Sequence, residues 1–336
     1  MHQRFDSKGA SAPHQGVLLA IDVGGTKTHI AGYDTVTKRL HTCKLATHAD
    51  GLHGASALQR IIRAARDCVA ELGYAPVLSV VAVFPGVVRG KTLLMAPNTP
   101  GFEHLDLHSL LAQGLGTQNV ILDNDVKAGA MAEAHWGALT GIDNAIYLNL
   151  GTGLAAAAIV NGKLMRGHNG AAMEIGYLLS PFLDPNTPAN WKTFSDGAAP
   201  LEELFSGTAL SLLAAEMLGQ GHDALDLFAS DAVNVQQALQ QRIAACAIQV
   251  ANLAVALDVS RIAIGGGLYR QASVLAPIIQ QLIQRVVPFP PEIIAAQFTH
   301  DAPLWGALSM AMDATGLTFI PEHLIAEGDA QLAPYA

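Results

Sequence analysis

Cysteine is scarce in this chain of 336 residues, with only three at Cys43, Cys68 and Cys246. They are widely spaced and make neither a disulfide framework nor a zinc knuckle, which points to a reducing compartment. Charge is scarce too: Asp, Glu, Lys and Arg make up 14% against 51% apolar residues, where an average soluble domain carries roughly 25% charge. A chain so apolar and so poor in charge is not disordered. Long apolar runs are missing; the richest stretch, residues 243–257, already holds Gln249 and Asn252. No run therefore approaches the ~18 residues of a membrane span. The first residues, MHQRFDSKGASAPHQG, lack the apolar core of a secretory signal and read as a polar leader, residues 1–16. Positive charge is in deficit, 19 Lys and Arg against 28 Asp and Glu, giving a net charge of −9. A broad nucleic-acid surface does not fit that balance. The expectation is a cytoplasmic, soluble α/β protein of about two domains, with neither a nucleic-acid nor a membrane partner.

What is present is an alternation of strands and helices. Residues 17–22 form an apolar run ending in Asp22, followed by Gly24, Gly25 and Thr26 and a second strand-like run at 27–33. Glycines between two such runs predict a tight hairpin, since glycine takes positive φ freely. Helical spacing of Leu58, Ile61, Ile62, Ala65 and Val69 predicts an amphipathic helix over 55–72. A buried strand follows at 78–84, a short helix at 107–111, a strand at 120–122 and an Ala-rich helix at 127–137. The opening pattern then returns: a strand at 145–149, Gly151, Thr152 and Gly153, an apolar run to Val160 and an Asn161-Gly162 turn. Two copies of one supersecondary unit this far apart indicate duplicated domains rather than a solenoid. A long helix at 233–257, a strand at 261–264 with Gly265, Gly266 and Gly267 after it, and a helix at 302–314 complete the pattern.

Three glycine turns after strands suit phosphate, because backbone N–H groups approach an anion where no Cβ intervenes. Thr26 and Thr152 add hydroxyl donors and Lys27 a positive charge. Asp22, at a strand end, suits Mg²⁺ held through water. One such motif is usually an ordinary hairpin; three in one chain favour nucleotide binding. GxxxxGK[ST] is absent, so this is not a P-loop protein. The segment Gly151-Thr152-Gly153 with Ala156 and Glu174 imitates a Rossmann fingerprint, but Asn161-Gly162 comes too soon for a crossover helix.

Five segments together resemble the ROK sugar kinases, of the actin, hexokinase and Hsp70 ATPase fold. They are Asp22 to Lys27 (DVGGTK), Ala96-Pro97-Asn98, Asn124-Asp125, Gly151-Thr152-Gly153 with RGHNGAAMEIG at 166–176, and Gly265 to Gly267 after Ile264. The resemblance implies two RNase H-like (actin-like ATPase) α/β domains flanking a cleft. Residues 17–123 with 303–330 would form the first and 124–302 the second. It implies ATP and Mg²⁺ as cofactors, a sugar substrate and a homodimer. Asp22, Gly24, Gly25, Thr26 and Lys27 match the first phosphate segment, Gly151, Thr152 and Gly153 the second, and Gly265, Gly266 and Gly267 the adenosine side. Asn124 and Asp125 match the pair that touches the sugar, with Asp125 the catalytic base. Glu174, Glu202, Tyr177 and, more loosely, Asn98 match sugar-side positions. The chemistry agrees, since a sugar hydroxyl needs a carboxylate to take its proton as phosphorus is attacked. The alternative is a catalytically degenerate sugar-binding or regulatory protein. The 16 residues before Val17 are too few for the winged helix of the family's repressors.

The chain departs from the family at four places. Tyr177 replaces a zinc-binding His, and the stretch 188–200 holds none of the expected cysteines, so no structural zinc is expected. Burial of Trp191 and Phe194 would have to hold that loop instead. Lys127 stands where Asn is usual; it either faces the cleft, favouring ionised Asp125, or faces solvent without consequence. Met173 replaces Gly beside Glu174. Among the histidines, His104 and His108 are spaced for one surface helix, and His168 is a candidate for touching phosphate or sugar.

Overall fold

The computed structural model describes residues 15–96 and 98–318. Residues 1–14 of the expected leader and 319–330 of the expected first domain lie outside them. In the first half, β1 (Val17–Val23), β2 (Lys27–Asp34) and β3 (Leu40–Ala46) form an antiparallel meander. Helix α1 (Gly54–Glu71) crosses to β4 (Val77–Phe84), parallel to β1. A separate ribbon of β5 (Val87–Arg89) and β6 (Thr92–Met95) follows, then α2 (Leu107–Leu115) and β7 (Val120–Asn124), parallel to β4. The sheet order is β3-β2-β1-β4-β7. Helix α3 (Asp125–Trp136) leads into the second half.

The plan then repeats. Strands β8 (Ala145–Leu150), β9 (Leu154–Val160) and β10 (Lys163–Leu164) form the antiparallel arm. After α4 (Gly207–Met217), α5 (Ala224–Ala229) and α6 (Val233–Leu257), β11 (Arg261–Gly265) joins parallel to β8. Helix α7 (Ala272–Val286) and β12 (Glu292–Ala295) complete the order β10-β9-β8-β11-β12, and α8 (Ala302–Thr315) closes the chain. The fold is α/β with two mixed five-stranded sheets of one topology, that of actin-like ATPase domains. The β8–β9 hairpin leaves no room for a Rossmann crossover.

Burial explains the apolar runs. Strand β1 is covered on both faces: Leu19 and Ile21 pack with the α1 residues Leu58 and Ile61, while Leu18 and Ala20 pack with Ala128, Leu304 and Leu308. A strand covered twice reads as a continuous apolar run. Helix α3 serves both sheets, with Ala128 and Ala132 in the core of the first and Val126 and Ala130 in that of the second. Helix α8 returns to the first sheet. Gly306 admits it, since a Cβ there would lie 1.7 Å from the Ala128 carbonyl oxygen.

Two local expectations fail. His104 and His108 do not share a surface helix: α2 begins at Leu107, the His104 side chain is 81% exposed in the turn before it, and His108 is buried. The cause is Asp106, whose carboxylate accepts the Ser109 N–H and so fixes the helix start. The loop after Tyr177 is not held by buried aromatics either, because Phe194 is 61% exposed and Trp191 half-buried. Polar turns hold it: Trp191 Nε1 donates to the Asp184 carbonyl at 2.9 Å, and Thr193 and Asp196 cap each other.

Candidate active site

A cavity of about 690 Å³ opens between the two glycine hairpins. The β1–β2 turn supplies Gly24, Gly25 and Thr26, and the β8–β9 turn supplies Thr152 and Gly153. The first turn is anchored from β3's end, where the Thr47 hydroxyl donates to the Gly24 carbonyl at 2.7 Å and meets the Thr28 hydroxyl at 2.9 Å. Neither Gly24 nor Gly25 adopts positive φ. Glycine is needed there for space instead: a Cβ on Gly25 would lie 2.7 Å from the Asn98 carbonyl oxygen. Gly266 does require its freedom, at φ +91°, with a Cβ 2.4 Å from the Leu150 carbonyl.

The remaining expected phosphate residues lie off the cavity wall. Gly265, Gly266 and Gly267 sit at the end of β11, against the end of β8. Gly151 accepts the Gly207 N–H through its carbonyl at 2.9 Å. Lys27 is exposed at the start of β2. Asp22, half-buried near the end of β1, does not line the cavity; burial, and then Asp125 and Asp301, push its acid up to about 8. The Lys44 charge opposes the rise only in part, and both His29 and Lys44 pair with Asp301, at 3.1 and 3.2 Å.

The rest of the wall is acidic. Asp125 is the first residue of α3 and faces the cavity with Asn98, Asn124, Glu174, Tyr177 and Glu202. Burial pushes Asp125 up to about 6, and the Glu174 charge adds to this. Its own helix opposes the rise, since Asp125 Oδ1 accepts the Val126 N–H at 2.8 Å. A carboxylate at a helix N-terminus is favoured as the anion. Asn124 spends its amide on the protein: Oδ1 caps α3 through Lys127 N at 2.9 Å, and Nδ2 donates to the Gly86 carbonyl at 2.9 Å. Glu202 Oε2 accepts the Leu154 N–H at 2.7 Å, tying the acidic wall to the second glycine turn. Burial raises Glu174, and Lys127 counters it with Nζ 3.4 Å from Oε1. Lys127 therefore does not face solvent; its side chain is 1% exposed. Tyr177 stacks edge-on against Phe194, ring centroids 5.4 Å apart.

Several wall residues escape sequence reading. Asn149 lines the cavity at the position duplicated from Asp22, a signal the repeat carries. Pro85, Gly86, Val87 and Met95, from the β4–β5 junction and β6, carry no chemical signature. His168 is exposed and absent from the wall. Among the described residues no group of three His, Cys, Asp or Glu is placed to hold a metal ion.

Two glycine hairpins of one design, a carboxylate at the head of the linking helix and an acidic wall meet at one cavity. The sequence model of the ROK family matches residues 18–314. The chain belongs to the ROK family. Among ROK proteins, it is 29% identical over 303 residues to the N-acetylmannosamine kinase of Salmonella heidelberg (strain SL476), covering 88% of this chain and 99% of that one. The ROK hexokinase of Thermus thermophilus superposes with a TM-score of 0.71 at 26% identity, covering 87% and 97%. A ROK glucokinase of Streptomyces griseus, solved with glucose and AMPPNP, gives 0.68 at 26% identity, covering 89% and 100%. The ROK fold is not confined to kinases: a transcriptional regulator of the family, homologous to the E. coli MLC protein, gives 0.74 at 20% identity, covering 93% and 80%. That likeness speaks to fold alone. Among the described residues, no helix is long and apolar enough to cross a membrane.

Proposed function

We propose that the protein is an ATP-dependent kinase that phosphorylates a hydroxyl of a hexose or an N-acylated hexosamine. The observation that carries this reading is the meeting of both glycine hairpins with Asp125 at one cavity. Asp125 acts as general base, taking the proton of the attacking hydroxyl; such help is worth about 10²- to 10⁴-fold. The N–H groups of Gly25, Thr26, Thr152 and Gly153 cradle the phosphates, the Gly24 and Gly151 N–H groups closing the two turns onto the Lys27 and Gly153 carbonyls, and Gly265, Gly266 and Gly267 border the adenosine. Glu174, Glu202, Asn98 and the Tyr177 phenol form the polar ring for sugar hydroxyls, while Asn124 fixes the base by capping α3.

Asp22 fits a divalent cation, being a half-buried carboxylate whose acid is raised by Asp125 and Asp301 while the nearby His29 and Lys44 pair with Asp301. It would hold Mg²⁺ through water. Bound with ATP, Mg²⁺ would neutralise charge on the transferring phosphoryl group. The likeness to N-acetylmannosamine kinase and glucokinase supports this substrate class. A homodimer working in the cytoplasm belongs to the same reading. The test is sugar-dependent ADP release across a panel of hexoses and N-acetylhexosamines, with and without Mg²⁺. Stimulation by one sugar class, dependent on Mg²⁺, is expected. A flat response across the panel would replace the kinase with a sugar-binding or regulatory protein.

A further inference from the structure

We propose that Lys127 is a positioning residue, its ammonium fixing Glu174 as an acceptor-only arm of the sugar pocket. The proposal rests on the kinase reading for what Glu174 binds, but not for the pairing itself. Among the described residues Lys127 is the only buried lysine or arginine. A buried ammonium is retained only where a partner offsets its desolvation. Its partner is Glu174 Oε1 at 3.4 Å. Lys127 sits in the first turn of α3, two residues after the base, and its N–H is taken by the Asn124 cap. Glu174 comes from the loop after β10, so the pair joins the linking helix to the second sheet's loop behind the acidic side of the pocket.

The groups facing Glu174 are Asp125 and Lys127 from α3, Glu202, and the Tyr177 phenol. Three carboxylates and one ammonium thus share this wall. With Lys127 removed, Glu174 keeps two anionic neighbours and no cation, which pushes its carboxyl further up and favours the protonated form. A protonated carboxyl is a donor as well as an acceptor. The arm would then no longer select hydroxyl or amide N–H donors on the sugar. A merely space-filling Lys127 predicts none of this, and the two roles separate by pH.

The test compares the full-length chain with K127M and the double variant K127M/E174Q. In K127M the folded-state pKa of Glu174 rises further, so the loss of stability is present above that pKa and fades as falling pH protonates Glu174. Melting temperature without substrate is therefore expected to drop more at pH 8 than at pH 5. K127M/E174Q, with neither charge, is expected to recover most of the loss and show no such pH dependence. In sugar turnover, KM for sugar should climb more steeply with falling pH in K127M than in wild type, with KM for ATP unchanged; kcat/KM also moves through Asp125, which loses the same Lys127 charge, so the sugar KM is the readout of the arm. A stability loss equal at both pH values, or failure of both variants to fold, would overturn the proposal. So would a uniform fall in kcat with an unmoved pH profile. An inactive wild-type chain would sink the kinase reading alone, leaving the melting comparison to decide the role of Lys127.

Discussion

Met173 holds φ at +66° beside Glu174, the proposed sugar ligand. That left-handed conformation costs a residue with a Cβ about 1–2 kcal/mol. Its side chain, 9% exposed in the second core, returns about 1.5–3 kcal/mol by burial, so burial wins and the strain persists. Met173→Gly and Met173→Ala both lose that burial, but only alanine keeps the strain. The glycine variant should be the more stable by about 1 kcal/mol in urea unfolding, reversing the usual order; an alanine variant equal or superior would contradict the account. Asp125 yields a second prediction. With its acid near 6, kcat/KM should hold above pH 7 and fall as pH drops through about 6, because only the anion accepts the sugar proton. A profile flat to pH 5 would point to another base.

At the scale of elements, the β8–β9 turn and the acidic wall are one unit. Glu202 holds the Leu154 N–H, its backbone N–H donates to the Gly176 carbonyl, and the Gly207 N–H and the Thr208 hydroxyl close on the Gly151 and Thr152 carbonyls. Freeing a buried donor costs about 1–3 kcal/mol. Glu202→Ala should therefore raise KM for ATP as well as for sugar by about tenfold, whereas Glu174→Ala should raise the sugar KM alone. Steady-state kinetics with each substrate varied checks both; an unchanged ATP KM in Glu202→Ala would uncouple the turn from the wall. The loop from Leu178 to Leu201 is held by polar turns, so EDTA should leave the melting temperature unchanged. A drop on chelation would reveal a structural metal.

Legibility in the sequence also varied by element. β1, β4, β8 and β11 were readable because strands covered on both faces give unbroken apolar runs ending at the turns that carry chemistry. Edge strand β3, half exposed, and the short β5–β6 ribbon give no such run, so nothing in the sequence marks them. Helix α7 is unmarked as well, with Pro277 inside it. The side taken by Lys127 was undetermined for a different reason. Helix α3 is buried against both sheets, so its sequence shows no polar face from which to orient a residue. The aromatics of the loop after Tyr177 misled because apolar residues outside the core need no burial to persist.

For the molecule as a whole, duplication brings two equivalent hairpins face to face, and α3 and α8 carry the joint between the halves. We propose that the first lobe comprises residues 17–123 with 303–330, of which 303–318 are described, and the second residues 124–302, with α3 packed in both. Arg166, after β10, reaches Asp123 on β7 at 2.7 Å, and Arg89 of β5 reaches Asn169 at 3.1 Å, so the loop bearing Glu174 is pinned to the first lobe. On the proposed reading, Asp125 as base on the linking helix and glycine turns for phosphate on both lobes would make the cavity a place for transfer rather than storage. The most direct measurement is the Asp125→Asn variant, assayed for sugar-dependent ADP formation and, by calorimetry, for binding of the sugar that wild type turns over. The account predicts turnover reduced by about 10²-fold or more with sugar affinity within a few-fold of wild type. Turnover retained by the variant would contradict the account.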